Sequence, residues 1–304
     1  MANTPILRHR NPKGDTPKCT DWGVDSEYGV LRDVLLGPPQ HFKWLPTSSI
    51  SKATLRRGHK LDIEAAFRQH REMTQAYEDA GVRVHLLEAD ENLSYQVFAR
   101  DSSVMTPYGA IITQMAQWWR RGEYAPALRF YTEMGIPIYD MVSAGSFEGG
   151  DFDVIEPGCV LLGHGSERTQ DSSVRQVGEW MEHEGWEIRY VDIAVHYVHI
   201  DFMVCMLAEK LAAVCVDTID PEIVKWLKSK RVEILPVSYQ DTMNLGCNVM
   251  ALGNDKVIST SQSADLNARL RARGFEVYDP DVSMFTMGGG GIHCMAMPLR
   301  RDPV

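Results

Sequence analysis

Four short stretches set polar, reactive side chains among apolar neighbours. Phe98-Ala99-Arg100-Asp101 stands just before a β-like run, and Phe147-Glu148-Gly149-Gly150-Asp151 follows Ala144-Gly145-Ser146. His199-Ile200-Asp201 leads into Phe-Met-Val-Cys-Met-Leu, and four glycines, Gly288 to Gly291, lead through Ile292 and His293 to Cys294. A free thiol has a pKa of about 8.5 and needs help to become a thiolate near neutrality. Histidine supplies an acid/base partner, and a carboxylate orients and supports it. Two further carboxylates would hold a cation. At 4 Å each such pair is worth on the order of 4 kcal/mol at an effective dielectric of 20, and bidentate geometry adds orientation.

Each residue also has a structural reading. Asp101 is a candidate strand-end cap, and Glu148 and Asp151 beside Gly149-Gly150 suit a plain turn. His199 suits a satisfied core histidine, and Cys294 a buried thiol in a flexible tail. The spacing His196-x-x-His199-x-Asp201 suggests metal, but no second cluster completes a ligand set. No metal and no organic cofactor is expected.

Breakers and periodicity supply the scaffold. Residues 30–36 before Gly37-Pro38-Pro39 predict a buried strand, residues 60–80 an amphipathic helix ending at Gly81, and Val82 onward a strand. The order recurs. Strands at 110–113, 159–163, 211–216 and 256–259 are followed by helices over 121–134, 172–184, 221–229 and 262–273. Each helix is followed by a strand, at 136–139, 186–191, 232–237 and 275–278. Five units of about 50–60 residues make a structural repeat. There is no Gly-rich turn for a Rossmann sheet and no P-loop. A closed ring of five small α/β modules, its loops meeting at a central axis, accommodates the repeat. The four reactive stretches fall near module junctions, with the Cys294 loop read as the fifth. Residues 1–25 read as an irregular lead-in to one domain spanning 1–304.

The 304 residues, 44% hydrophobic and 24% charged, suit a soluble globular protein. A formal net charge of −10 argues against nucleic acid or an anionic membrane as partner, and fits a small cationic substrate. No stretch reaches the roughly 18–20 apolar residues of a membrane span. Cys159, Cys205, Cys215 and Cys247 sit in apolar runs, which is core usage in a reducing, cytoplasmic compartment. A homo-oligomer is the default for such an enzyme.

The four motifs, with the opening strand Ser26-Glu-Tyr-Gly-Val-Leu-Arg-Asp-Val-Leu-Leu-Gly-Pro, resemble in order those of the guanidino-modifying superfamily. That superfamily holds the arginine deiminases, dimethylarginine dimethylaminohydrolases and amidinotransferases. The resemblance spans residues 26–298 and implies the pentein fold, a five-bladed α/β propeller of ββαβ modules. It implies Cys294 as nucleophile, His199 as general acid/base and Glu148 as the carboxylate orienting it. Asp101 and Asp201 would grip the guanidinium. Arg120, in Trp119-Arg-Arg-Gly-Glu, and Arg168, in Ser166-Glu-Arg-Thr, resemble arginines that bind the substrate carboxylate, the alternative being two solvated surface arginines. There are departures. The interval from Gly37 to Phe98 has no room for the deiminases' helical insertion, and Tyr95 stands where they carry an asparagine. The glycine-rich tail is unlike the dimethylarginine enzymes.

The implied reaction is attack of Cys294 on a guanidinium carbon, then hydrolysis of a thiouronium adduct to a ureido product. The alternatives are transfer of the amidino group to an acceptor amine, and a catalytically dead guanidino-compound binder.

Overall fold

The computed structural model describes residues 8–165 and 167–304. The lead-in expected over 1–25 lies partly outside them. Residues 8–25 form only isolated bridges, Arg8 with Ile138 and Gly23 with Arg300.

Aliphatic runs flanked by turns become short strands, fifteen among the described residues, in five three-stranded sheets. β1 (Leu31–Leu36) pairs in parallel with β2 (Arg83–Leu86). β3 (Ser103–Thr106) and β4 (Gly109–Ile112) are antiparallel, and β4 and β5 (Ile138–Met141) parallel. β6 (Phe152–Glu156), β7 (Cys159–His164) and β8 (Glu187–Asp192) repeat that pattern. So do β9 (Val204–Ala208), β10 (Leu211–Cys215) and β11 (Glu233–Val237). The fifth set is β12 (Met250–Gly253), β13 (Lys256–Ile258) and β14 (Glu276–Tyr278). The antiparallel partner missing beside β1 is β15 (Ala296–Arg301), at the other end of the chain, running from Leu36↔Ala296 to Leu31↔Arg301. The C-terminal strand therefore completes the first sheet and closes the ring. The Cys294 loop thus stands at the junction between the fifth module and the first.

One helix connects the second and third strand of every module: Ile63–Asp79, Tyr124–Met134, Asp171–His183, Pro221–Ser229 and Ala264–Ala272. Each buries an i, i+4 pair on its sheet: Met73 and Tyr77, Ala127 and Tyr131, Val177 and Met181, Ile223 and Leu227, Leu266 and Leu270. The 3.6-residue period dictates that spacing, and each buried aliphatic side chain contributes about 1.5–3 kcal/mol. The helix expected from residue 121 starts at Tyr124, because Arg120 and Gly122 close turns first. A helix at Ser49–Arg56, begun by a Ser48/Ser51 capping box, is additional to the expected set. No helix among the described residues is long and apolar enough to cross a membrane.

The feature that builds the site is the entry to each module's first strand. A 3-10 turn at Ala99–Ser102 enters β3, one at Gly149–Asp151 enters β6, and one at Ile200–Phe202 enters β9. A one-turn helix at Ile292–Met295 enters β15, where the sequence suggested direct passage from glycine loop to strand. These turns pack on one another near the ring axis.

Candidate active site

Pseudo-symmetric entries bring residues far apart in sequence to one place. Asp101, His199, Cys294, Arg120 and Arg168 line one narrow pocket, whose void is about 380 Å³ including its mouth. Tyr95, Phe98, Trp119 and Phe202 supply apolar walls, and Gly288 to Gly290 one rim. Arg120 and Arg168 are only 3% and 6% exposed, so they are not solvated surface arginines. Glu148 lies behind the pocket and Asp201 beside the thiol, both buried.

His199 Nε2 lies 3.0 Å from Glu148 Oε2, and its Nδ1 lies 3.5 Å from Asp101 Oδ1. Glu148 is held in turn by the Ala116 amide at 3.2 Å and by Arg168 Nη1 at 3.4 Å. Burial works against a charged Glu148, yet Arg168, His199 and Arg120 hold its carboxyl well below the usual range. Burial alone would lower the His199 pKa. The Asp101, Asp151 and Glu148 carboxylates outweigh it and raise the imidazole to about 9. Asp151 Oδ1 also accepts from the Ile200 amide at 2.9 Å, which fixes the His199–Asp201 turn.

Arg120 is engaged on both ends of its guanidinium. Nε and Nη2 donate to Glu123 at 2.9 and 2.7 Å, and Nη1 donates to Asp101 Oδ2 at 2.7 Å. Its charge also lies over the Tyr95 ring, 5.8 Å from the centroid. Tyr95, at the position where the deiminases carry asparagine, spends its hydroxyl on Leu45 and Thr47.

The Cys294 thiol donates to Asp201 Oδ2 at 3.3 Å and accepts from Asn248 Nδ2 at 3.2 Å. The Asn248 Oδ1 accepts from the Cys294 amide, also at 3.2 Å. Burial, then the charges of Asp201 and Asp101, push the thiol well above its usual range. On the far side of Asp201, His293 Nδ1 lies 3.0 Å from Oδ2, with Glu27 3.6 Å from Nε2. Arg100 donates to Glu27 at 2.8 Å and so closes a buried file of alternating charge beneath the cysteine.

Among the buried atoms at this site with no hydrogen-bond partner in the described residues are Asp101 Oδ1, Asp201 Oδ1 and His199 Nδ1. Buried polar atoms are rarely left so, and two unmatched carboxylate oxygens ask for a donor carrying positive charge. Two triads have ligand atoms close enough for a metal, Asp101–Glu148–His199 and Glu27–Asp153–His293. Arginines already supply the positive charge at each, Arg120 and Arg168 at the first and Arg100 at the second. The His196–His199 spacing does not form a ligand pair. The His196 ring packs on Tyr197 and Tyr239.

The family profile described as N,N dimethylarginine dimethylhydrolase, eukaryotic, matches residues 39–301. The chain belongs to that family. It is therefore one of the hydrolytic guanidino-modifying enzymes. The dimethylarginine dimethylhydrolase match runs through residue 301 and so spans the segment carrying Cys294. An uncharacterised Bacillus subtilis protein, YkgA, is 29% identical over 280 residues, covering 91% of this chain and 94% of its own length. The dimethylarginine dimethylaminohydrolase of Pseudomonas aeruginosa, solved with citrulline, superposes with a TM-score of 0.75 at 21% identity, covering 88% of this chain and 99% of that one. The N-terminal domain of the cyanobacterial arginine dihydrolase ArgZ superposes at 0.77 with 20% identity, covering 89% and 98%. At these identities the two structures speak for a shared fold, the five-bladed propeller.

Against the family frame, the sequence reading lacked Asn248, Glu123 and the Glu27–His293 file. Asn248 stands just before β12, the place that Asp101, Glu148, His199 and Cys294 occupy at the other four entries. Counting junctions would have found it. Gly150 has its own geometric reason. A Cβ there would meet His199 Nδ1 at 2.5 Å and Cγ at 2.7 Å. Gly150→Ala is expected to displace the imidazole and cost about 10²-fold in turnover, the usual penalty for a misplaced catalytic group. Melting curves and steady-state kinetics of that variant check it. A folded Gly150→Ala protein with ordinary turnover would contradict the tight packing.

Proposed function

We propose that the protein is a cysteine hydrolase acting at the guanidinium carbon of arginine or an N-substituted arginine, releasing ammonia or an amine and a ureido product. The carrying observation is the pair of buried, unpartnered oxygens, Asp101 Oδ1 and Asp201 Oδ1, beside a thiol. A guanidinium presents planar N–H donors, and a hydrogen-bond donor is what those two oxygens lack. Arg168 in the pocket wall binds the carboxylate end, Arg120, clasped by Glu123 and Asp101, holds Asp101 in place instead of meeting the substrate carboxylate, and the aromatic walls cover the aliphatic stem.

In the free protein the thiol is protonated and His199 is an imidazolium. A cation held between Asp101 and Asp201 offsets the charge that keeps the proton on sulfur. Once the thiolate forms, Sγ attacks the guanidinium carbon and a C–N bond breaks. His199 gives its proton to the departing nitrogen, leaving a thiouronium on Cys294. Neutral His199 then takes a proton from water as its oxygen bonds to that carbon. The C–S bond breaks, the remaining hydroxyl proton passes to solvent as the neutral ureido product forms, and thiolate and imidazolium are restored. No step requires a metal or organic cofactor. The six cysteines, all unpaired, fit a reducing, cytoplasmic setting.

The pH dependence carries a definite sign. The productive form needs the thiol deprotonated and His199 protonated, whereas the thiol range lies high and His199 titrates near 9. Below about pH 9 one proton must be lost, so log kcat/KM is expected to rise with unit slope from pH 6 toward 9. Above His199's pKa, loss of the imidazolium cancels further gain. A kcat/KM profile over pH 6–10 reads this directly, since it reports the free enzyme. A flat profile from pH 6 to 8 would mean a preformed thiolate instead. The activity itself is tested by offering arginine, methylated arginines, agmatine and guanidino acids and assaying ureido product, with and without glycine. An amidinated glycine in place of a ureido compound would redirect the reading to amidino transfer.

A further inference from the structure

The pocket opens onto a second hollow with which it shares Thr47, Ser48, Arg168 and Val198. That hollow, about 940 Å³ including its open face, lies between the Ser49–Arg56 helix and residues 167–168 and 195–198. The two sides are joined: Ser49 Oγ donates to the His196 carbonyl at 3.0 Å. The helix is also seated on the nucleophile's loop, because a Cβ on Gly289, whose φ is +105°, would collide with Ser48 Oγ. The hollow is thus part of the same rigid neighbourhood as Cys294.

Its charge is unlike that of the rest of the chain. From Val34 to Leu61 there is no Asp or Glu, yet Lys43, Lys52, Arg56, Arg57 and Lys60 fall in that interval, in a protein of net charge −10. Lys52 and Arg56 line the hollow, both exposed, and neither is in an ion pair among the described residues. Arg56 Nε reaches only the Lys52 carbonyl, at 3.2 Å. Arg168 joins them on the shared wall, and Glu167 is the one carboxylate lining the space. A solvated basic face would need no hollow beneath it. Here Lys52 and Arg56 border a space that shares four lining residues with the guanidino pocket, beyond the arginine assigned to the substrate carboxylate.

We propose that this hollow is an outer anion-binding subsite, so that the preferred substrate is a guanidino compound carrying a further carboxylate beyond the arginine-like carboxylate. The proposal rests on the guanidino-hydrolase reading and narrows it. Free arginine ends at Arg168, whereas a longer, acid-bearing molecule also meets Lys52 and Arg56. Exposed pairs are individually weak and screened by salt, so two of them set an effect of about tenfold at low ionic strength.

The test compares two dipeptides of equal size that keep the arginine carboxylate free, L-aspartyl-L-arginine and L-asparaginyl-L-arginine. Wild-type protein is expected to favour the aspartate form by about tenfold in kcat/KM at low salt, and the ratio should shrink toward one in about 0.5 M NaCl. A Lys52→Gln/Arg56→Gln double variant, checked for an unchanged melting curve, should lose the preference. Equal kcat/KM for the two dipeptides in wild type overturns the subsite, as does a preference that survives in the double variant. If no guanidine at all yields a ureido product, the hydrolase reading is what fails. The subsite is then decided by calorimetric titration of both dipeptides into Cys294→Ser, where a tighter aspartate form supports it and equal affinity overturns it.

Discussion

Cys294→Ser is expected to lower turnover by about 10⁴-fold or more while leaving the fold and the guanidino pocket intact. On the proposed mechanism the loss is large because the thiol forms the covalent bond, and removing a nucleophile from a cooperating set removes nearly all its contribution. Serine is a close match in volume and can keep the hydrogen bonds now made by sulfur to Asp201 Oδ2 and Asn248 Nδ2. The unfolding free energy should therefore change by no more than about 1 kcal/mol. Substrate affinity is expected to persist, since the cation-binding oxygens belong to Asp101 and Asp201. Kinetics, a melting curve and a binding titration on one preparation separate these outcomes. A serine variant retaining a tenth of the activity would remove Cys294 from the chemistry.

His199→Ala is the second large effect, at about 10²–10⁴-fold in kcat, the range of a general acid/base. The structure predicts that this variant folds. Of the two carboxylates that lose the imidazole, Glu148 keeps Arg168 at 3.4 Å and Arg120 at 3.6 Å, and Asp101 keeps Arg120 at 2.7 Å, so neither is left without a cation. On the proposed mechanism both half-reactions suffer, the first through the lost proton for the leaving nitrogen and the second through the lost base for water. The pH profile should also lose its turn near 9, because that turn belongs to His199. Steady-state rates across pH 6–10 check both statements. A variant with an unchanged profile would assign the acid/base work elsewhere.

Much of this was legible in the chain because its signals are local. Central strands such as Cys159–His164 announce themselves as unbroken apolar runs, and helices such as Pro221–Ser229 by their caps and i, i+4 faces. Ring closure was not local. The pairing of Leu36 with Ala296 joins opposite ends of the sequence, and no short pattern in either strand names its partner. The one-turn helix carrying Cys294 was hidden too, since Ile292–Met295 is held by only a few backbone bonds, among them Met295 to Gly291. Polar residues in apolar runs were read by their surroundings. Asn248 follows Cys247 and precedes Val-Met-Ala-Leu, which looks like core until the other four entries are laid beside it. Glu123 was visible in the Arg-Arg-Gly-Glu stretch, but its clasp on Arg120 depends on a turn that composition does not encode. His293 stood beside the nucleophile in the motif. Its contact with Asp201 comes from two modules meeting at the axis.

The central claim is a bond between sulfur and a guanidinium carbon, and rapid acid quench during turnover of arginine or a methylated arginine tests it most directly. Peptide mass mapping should find the peptide bearing Cys294 heavier by the substrate less its leaving amine, with His199→Ala lengthening the adduct's life and Cys294→Ser abolishing it. Ureido product formed at the normal rate with no adduct on Cys294 at any quench time would contradict the account.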